Sequence, residues 1–364
     1  MADQDFILAP ATVTVSFATA PVYNIINSML CLNEGDGMVG FHEWVTETRA
    51  RIPSDVLQTN RLVFETLSEG MYPNLEFATF PEYVDYIESL DPVEYRDEVL
   101  EKFGRWCDEQ DIDVETDPKL LLNDRMAFLK VVEETIVRKH AEKGYDTDLK
   151  LYVDAHRLLN EPAQMLNLIV RHLRRMWTEY VEPEWKRVLP IVTDSVNAFQ
   201  QMNYSGMTAL EAIRTVTGRD MSQSWEFAEK YPKIVFIPSA HIGPYLRLFP
   251  IEDTAYLMFG ARVPEGVKSQ SLALSRSELL VRLNALADDT RLTILELLTQ
   301  HHELCAQDII NMLDLSQSSA SRHLRQLTAT GYIVERRRDI AKCYTLNYDR
   351  LEDTVSAVQR FLHR

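Results

Sequence analysis

The sequence predicts a mainly α protein: a helical N-terminal domain carrying a small β-meander, followed by a smaller C-terminal unit of α+β character. Three features of the 364 residues predict it. Apolar residues recur at three-to-four spacing across much of 21–202, punctuated by prolines. Short apolar or alternating runs replace that period between 233 and 263, and helical spacing then returns from 276, ending in two strand-like runs joined by a basic turn.

In chain order, TVTVSFA (12–18) alternates as a half-buried strand does. After Pro21 the helical pattern begins with Ile25, Ile26 and Met29 and continues through segments separated by Pro53, Pro73, Pro81 and Pro92. One long helix is expected over 118–142, where Leu122, Met126, Leu129, Val132 and Ile136 share a face. Two more are expected over 162–180 and 182–202, with Pro190 placed to kink or split the second. KIVFIPS, YLRLFPI and TAYLMFGARV then read as the strands of the meander, with TVTVSFA as a candidate addition. The stretch 265–275 is small and polar, so it serves as the expected linker between a domain over 1–264 and one over 276–364.

The C-terminal unit reads more sharply. Leu279 and Leu283 begin an apolar stripe, and Asp288 or Asp289 can cap the next helix, which Leu292, Ile294 and Leu295 face inward. A short helix follows over 306–313. Ser316 then opens a helix with Ala320, Leu324 and Leu327 on its inner face, and Gly331 closes it. Strand-like runs at 332–336 and 343–347 flank Arg337, Arg338, Asp339 and Lys342, and a last helix carries Leu351, Val355, Val358 and Leu362. This order is that of a winged helix-turn-helix. Short polar residues at the exposed start of its second helix suit base edges, and arginines behind them suit phosphates. The expected DNA contacts are Ser316, Gln317, Ser318, Ser319, Ser321, Arg322, His323 and Arg325 on the helix, with Arg336, Arg337, Arg338 and Lys342 on the wing.

A net charge of -17 opposes binding to a polyanion, but the charge is unevenly placed. Residues 275–364 hold equal numbers of acidic and basic side chains, and 314–344 carries six basic against three acidic. Salt screens fields beyond about 10 Å, so a local basic face can hold phosphates while the acidic remainder stays away. The acidic start has no basic-then-apolar leader and no stretch is long enough to span a bilayer, so a soluble, cytoplasmic protein without a membrane partner is expected. Cys31, Cys107, Cys305 and Cys343 are scattered, which predicts reduced thiols. GDGMVG (35–40) is neither GxGxxG after a strand nor a phosphate loop, and HExxH and GxSxG are absent from the sequence. His140, His156, His172 and His241 are dispersed. No enzyme activity, cofactor or metal is expected.

Residues 277–347, with LADDTRLTILELLTQ, ELCAQDI, LSQSSASRHLRQLTATGYI and VERRRDIAKCYTL, resemble the winged helix-turn-helix of the ArsR family of bacterial transcriptional regulators. The resemblance implies a homodimer on a near-palindromic operator, usually repressing, paired through its first and last helices. Here those helices place Leu279, Leu283, Leu351, Val355, Val358 and Leu362 at the dimer contact. Two departures stand out. Many metal-sensing members carry Cys-x-Cys where this sequence has Cys305-Ala306-Gln307, which leaves one thiolate where soft-metal binding normally needs three or four ligands. The wing tip, Asp339-Ile340-Ala341, also lacks glycine, which fits a longer or a less sharply bent turn and leaves the reach of Arg337 and Arg338 open.

The expected signal is therefore a non-metal effector or partner acting through residues 1–264. That segment holds Trp44, Trp106, Trp177, Trp185 and Trp225, candidates for lining a small-molecule pocket. A competing reading makes the winged helix a protein-docking or dimerisation module and the acidic domain the binder of a basic partner.

Overall fold

A computed structural model describes residues 12–33, 42–73, 75–108, 112, 114–142, 146–219, 221, 225–243, 245–262, 272–338 and 341–362. Most of the expected linker, the GDGMVG stretch, Asp339 and Ile340 lie outside the described residues. The chain forms two compact units, Ala20–Arg187 and a second made of Met1–Thr19 with Val188–Arg364.

The first unit is helical: α1 Pro21–Cys31, α2 Glu43–Arg51, α3 Ser54–Thr66, α4 Phe80–Ser89, α5 Pro92–Asp108, α6 Pro118–Asn123, α7 Arg125–Val132, α8 Arg138–Glu142, α9 Leu149–Leu159 and α10 Pro162–Met176. Its core gathers Ile25, Met29, Val63, Tyr83, Val131 and Ile169. Trp44, Trp106, Trp177 and Trp185 pack, partly buried, against that core. The helix expected over 118–142 is broken. Asp124 adopts extended backbone and its carboxylate accepts the N–H groups of Met126 (2.8 Å) and Ala127 (3.2 Å), so it caps α7 instead of continuing α6. A π turn over Glu133–Val137 then precedes α8. A second π turn, Trp177–Val181, carries the end of α10 into α11, Glu182–Gln200. Pro183 has no N–H for the carbonyl four residues back, and the Glu182 N–H bonds Trp177 O instead. Pro190 lies inside α11 without splitting it.

Two of the dispersed histidines of this unit, His172 and His140, have hydrogen-bonding neighbours. The Asn60 amide donates to Met29 O (2.8 Å) and Asn33 Oδ1 (2.6 Å), so its oxygen accepts from His172 Nε2 at 2.9 Å. Burial, aided by nearby Arg175, lowers the His172 pKa to about 4 and keeps the ring neutral. His140 Nδ1 lies 2.9 Å from Thr147 Oγ1.

In the second unit, β1 Thr14–Phe17, α12 Ala209–Thr217, β2 Lys233–Ser239, β3 Arg247–Ile251 and β4 Thr254–Gly260 build a four-stranded sheet and a helix over it. The strands appear where expected, but they do not form a meander. Their order is β1-β2-β4-β3; β2 pairs in parallel with both β1 and β4, and β3 is antiparallel to β4. The near-continuous apolar runs of β2 and β4 suit central strands covered on both faces, and only the β3–β4 pair is a hairpin. The connection from β2 passes tightly over the sheet end, since a Cβ on Gly260 would stand 2.6 Å from Gly243 O.

The remainder follows the winged order: α13 Leu272–Leu286, α14 Asp289–His301, β5 Glu303–Cys305, α15 Ala306–Leu313, α16 Gln317–Thr330, β6 Ile333–Arg338, β7 Ala341–Leu346 and α17 Tyr348–Leu362, with sheet order β5-β7-β6. Ile294, Leu298, Ile309, Leu327 and Tyr332 are buried in its core. Among the described residues no helix is long and apolar enough to cross a membrane.

Candidate nucleic-acid interface

The second helix of the motif is delimited by its own side chains. Asp314, in left-handed backbone, turns the chain out of α15, and Ser316 Oγ accepts the Ser319 N–H at 3.2 Å to start α16. Ala320, Leu324 and Leu327 are buried beneath it. At the far end Gly331 sits at φ 81, its N–H bonded to Leu327 O and Thr328 O, while the Tyr332 N–H reaches Leu327 O at 2.9 Å.

That framing leaves Ser316, Gln317, Ser318 and Arg322 exposed on the outer face, with Ser319, Ser321 and Arg325 half-buried beside them. Arg325 donates to Ser321 Oγ at 3.4 Å. His323 belongs to the other side of the helix. It is buried, with Nδ1 3.4 Å from Asp288 Oδ1, and so is turned away from any backbone phosphate. Burial lowers its pKa, with Arg291 and Arg322 acting in the same sense and Asp288 opposing them.

Wing residues occupy a regular ladder. β6 and β7 pair through Arg336↔Cys343, Arg337↔Lys342 and Arg338↔Ala341, which carries the ladder past the runs expected at 332–336 and 343–347. Arg336 and Lys342 are exposed. The Lys342 ammonium is not spare: it lies 2.9 Å from Glu335 Oε1, and the other oxygen of Glu335 accepts from Tyr344 OH at 3.3 Å. Arg337 and Arg338 are placed on the strand by register alone.

The residues expected at the dimer contact divide in two. Leu279 is buried and Leu351 packs against the core of the unit, whereas Leu283, Val355 and Leu362 are exposed, with Leu280 beside them. α13 packs on α17, and Tyr332 fastens both helices to the base of the wing. Its buried hydroxyl donates to Arg282 O at 3.1 Å and lies 3.0 Å from Thr354 Oγ1.

A family model described as "Bacterial regulatory protein, arsR family" matches residues 288–334. A cadmium resistance transcriptional regulatory protein CadC homolog of Staphylococcus aureus is 35% identical over 80 residues, 22% of this chain and 64% of that protein. The arsenical resistance operon repressor of Escherichia coli is 45% identical over 53 residues, 15% of this chain and 45% of its own. The arsenical resistance operon repressor of Staphylococcus aureus is 34% identical over 82 residues, 22% of this chain and 78% of its own. The chain belongs to the ArsR family. The matches fall in its C-terminal region, and the first two relatives are covered over less than two thirds of their length.

Several residues that position this ArsR-type unit carry no signal in local sequence. Arg291 donates to Ala285 O (2.6 Å), Asn284 O (2.8 Å) and Gln326 Oε1 (2.8 Å), tying the end of α13 to α16 through α14. Arg350 donates to Thr330 O at 2.9 Å and caps the last turn of α16. Arg219, beside the end of α12, has Nε 3.6 Å from where a Cβ on Gly331 would stand, which places its guanidinium near the end of α16. Cys305 is not a lone thiol. It pairs in register with Cys343 across β5 and β7, and the two form a disulfide. The expectation of four reduced thiols is corrected for this pair: β5 is three residues long, too short to announce a strand partner by its pattern.

Proposed function

We propose that the chain is a sequence-specific DNA-binding transcriptional regulator, a repressor in homodimeric form, with residues 276–364 as its DNA-binding and dimerisation domain. The observation that carries this is the exposed face of α16. Gln317, Ser318 and Arg322 project beside the start of a capped helix, next to a hairpin bearing Arg336 and Lys342, within the basic stretch of an otherwise acidic chain. Gln317, Ser318, Ser321 and Arg322 read the major groove; Arg325 and the wing hold phosphates. His323 is left out of the contact set and assigned to orienting α16 through Asp288. Leu283, Val355 and Leu362, with Val358, form the dimer seam, and Leu279 and Leu351 support it from beneath.

Control reaches this unit from residues 1–264 through a non-metal effector. In support, Cys305-Ala306-Gln307 lacks the second cysteine of a Cys-x-Cys pair, and Arg350, which donates to Thr330 O at the end of α16, has its guanidinium near Gly218 at the end of α12. Genome-wide selection of DNA bound by the full-length protein tests the proposal. It should enrich a near-palindrome whose half-sites lie about one helical turn apart, and Arg322→Ala should weaken binding to that site by about 1–3 kcal/mol while relaxing one base preference. Recovery of unenriched sequence sinks the proposal.

A further inference from the structure

We infer that Cys305 and Cys343 form a reversible dithiol/disulfide centre that sets the DNA affinity of the winged unit. The inference rests, for its output, on the DNA-binding function just proposed. The two cysteines stand opposite each other in the β5–β7 ladder, so the fold itself brings the sulfurs together. They differ in access: Cys343 is fully buried, whereas Cys305 is half-buried at the cap position of α15. The bond spans 38 residues. Within that ring lie α15, α16 and β6, and with them every residue proposed to touch DNA, from Ser316 to Lys342. A protein that binds DNA works where small thiols keep cysteines reduced, so a disulfide there is conditional rather than permanent.

The exchange balances with a low-molecular-weight disulfide of the glutathione type as oxidant. The Cys305 thiolate attacks that disulfide, forming a mixed disulfide and releasing one small thiolate. The Cys343 thiolate then attacks the Cys305 sulfur and expels the second. Two protein thiols are oxidised, one small disulfide becomes two thiols, and the two protons of the protein thiols end on those products. Excess small thiol reverses the sequence. In the oxidised state the hairpin is fastened to the start of α15, which holds Arg336 and Lys342 in one relation to α16. Reduction releases that tie and adds motion that DNA binding must remove.

Full-length protein, reduced or treated with oxidised glutathione, tests both halves. By intact mass and thiol alkylation, the wild type should end with the internal bond and no adduct. Cys343→Ser should stop at one glutathione on Cys305, and Cys305→Ser should gain none. Anisotropy with a mixed-sequence duplex long enough for two half-sites should show the oxidised form binding at least about fivefold tighter than the reduced form. That comparison needs no substitution. Loss of the difference in either serine variant supports the proposal. A wild type that keeps glutathione, or a Cys343→Ser variant that takes up none, overturns the centre. Equal affinity of the two wild-type forms overturns its control of DNA binding. Expected thiol chemistry with no DNA binding by either form overturns the DNA-binding proposal, and the regulatory half falls with it.

Discussion

Gly331→Ala isolates what closes the recognition helix. The residue sits at φ 81, in the left-handed region, where a Cβ costs about 1–2 kcal/mol. The added Cβ would also stand 3.3 Å from Arg350 Nε, the atom that donates to Thr330 O. Disturbing a buried hydrogen bond from a charged donor costs roughly another 1–2 kcal/mol. The total is about 2–4 kcal/mol. Gly218 supplies the control within the same unit, because it closes α12 at φ 69 but its nearest neighbour is 3.8 Å away, in ordinary contact. Gly218→Ala should therefore cost only the backbone part. Gly331→Asn should recover much of that part, since asparagine tolerates left-handed backbone, while keeping the steric one. Urea midpoints followed by circular dichroism measure the three. If Gly218→Ala proves as costly as Gly331→Ala, the contact with Arg350 contributes nothing and the proposed cap is refuted.

Charge on the wing gives paired expectations. Lys342→Ala should lower affinity for all duplexes and reduce the salt slope by about one ion, whereas Glu335→Gln, by releasing Lys342, should raise affinity in the same titration; an unchanged Glu335→Gln variant would count against Lys342 as a phosphate contact. On the proposed seam, Leu283→Asp or Val355→Asp should convert a dimer to a folded monomer in sedimentation, while Leu279→Asp should unfold the winged unit; unchanged mass in the first two removes the seam. His172 is neutral in the folded protein down to about pH 4 and protonates near 6.5 when unfolded. Its lowered pKa therefore contributes stability above pH 6.5 that is lost, at about 1.4 kcal/mol per unit, as pH falls toward 4. His172→Gln should flatten that limb of the stability profile, and an undiminished slope would refute the burial argument.

Legibility in the sequence followed the range of the forces. α16 was readable end to end because Ser316 and Gly331 act on backbone within three or four residues of themselves. The break at Asp124 was equally local, but the unbroken apolar spacing around it concealed a good capping residue. Strand existence was readable in KIVFIPS and TAYLMFG, yet parallel pairing of β2 with β4 depends on what covers both faces, which a single strand pattern does not encode. The wing ladder runs past the two strand-like runs because register is set by pairing along the whole hairpin.

The same distinction decides the site. The exposed face of α16 was legible in helical spacing, but His323, next to Arg322 in sequence, falls at three-to-four spacing from Ala320 and Leu327 and is buried with them. What its ring meets there is Asp288, thirty-odd residues earlier, reached only when α14 packs beside α16. Cys305 and Cys343 make the converse case, two scattered cysteines that become one chemical group through a strand of three residues. In both, a residue's chemistry follows from its partner rather than from its neighbours in sequence. The contacts that orient α16, from Asp288, Arg291 and Arg350, are all of this long-range kind, and Arg219 stands near the same helix end. A regulator built this way can keep its DNA-facing residues constant and change its response through the residues behind them. Arg219 tests that directly: Arg219→Ala should leave the exposed face of α16 intact yet alter operator affinity in the full-length protein, and an unaltered affinity would place the control elsewhere.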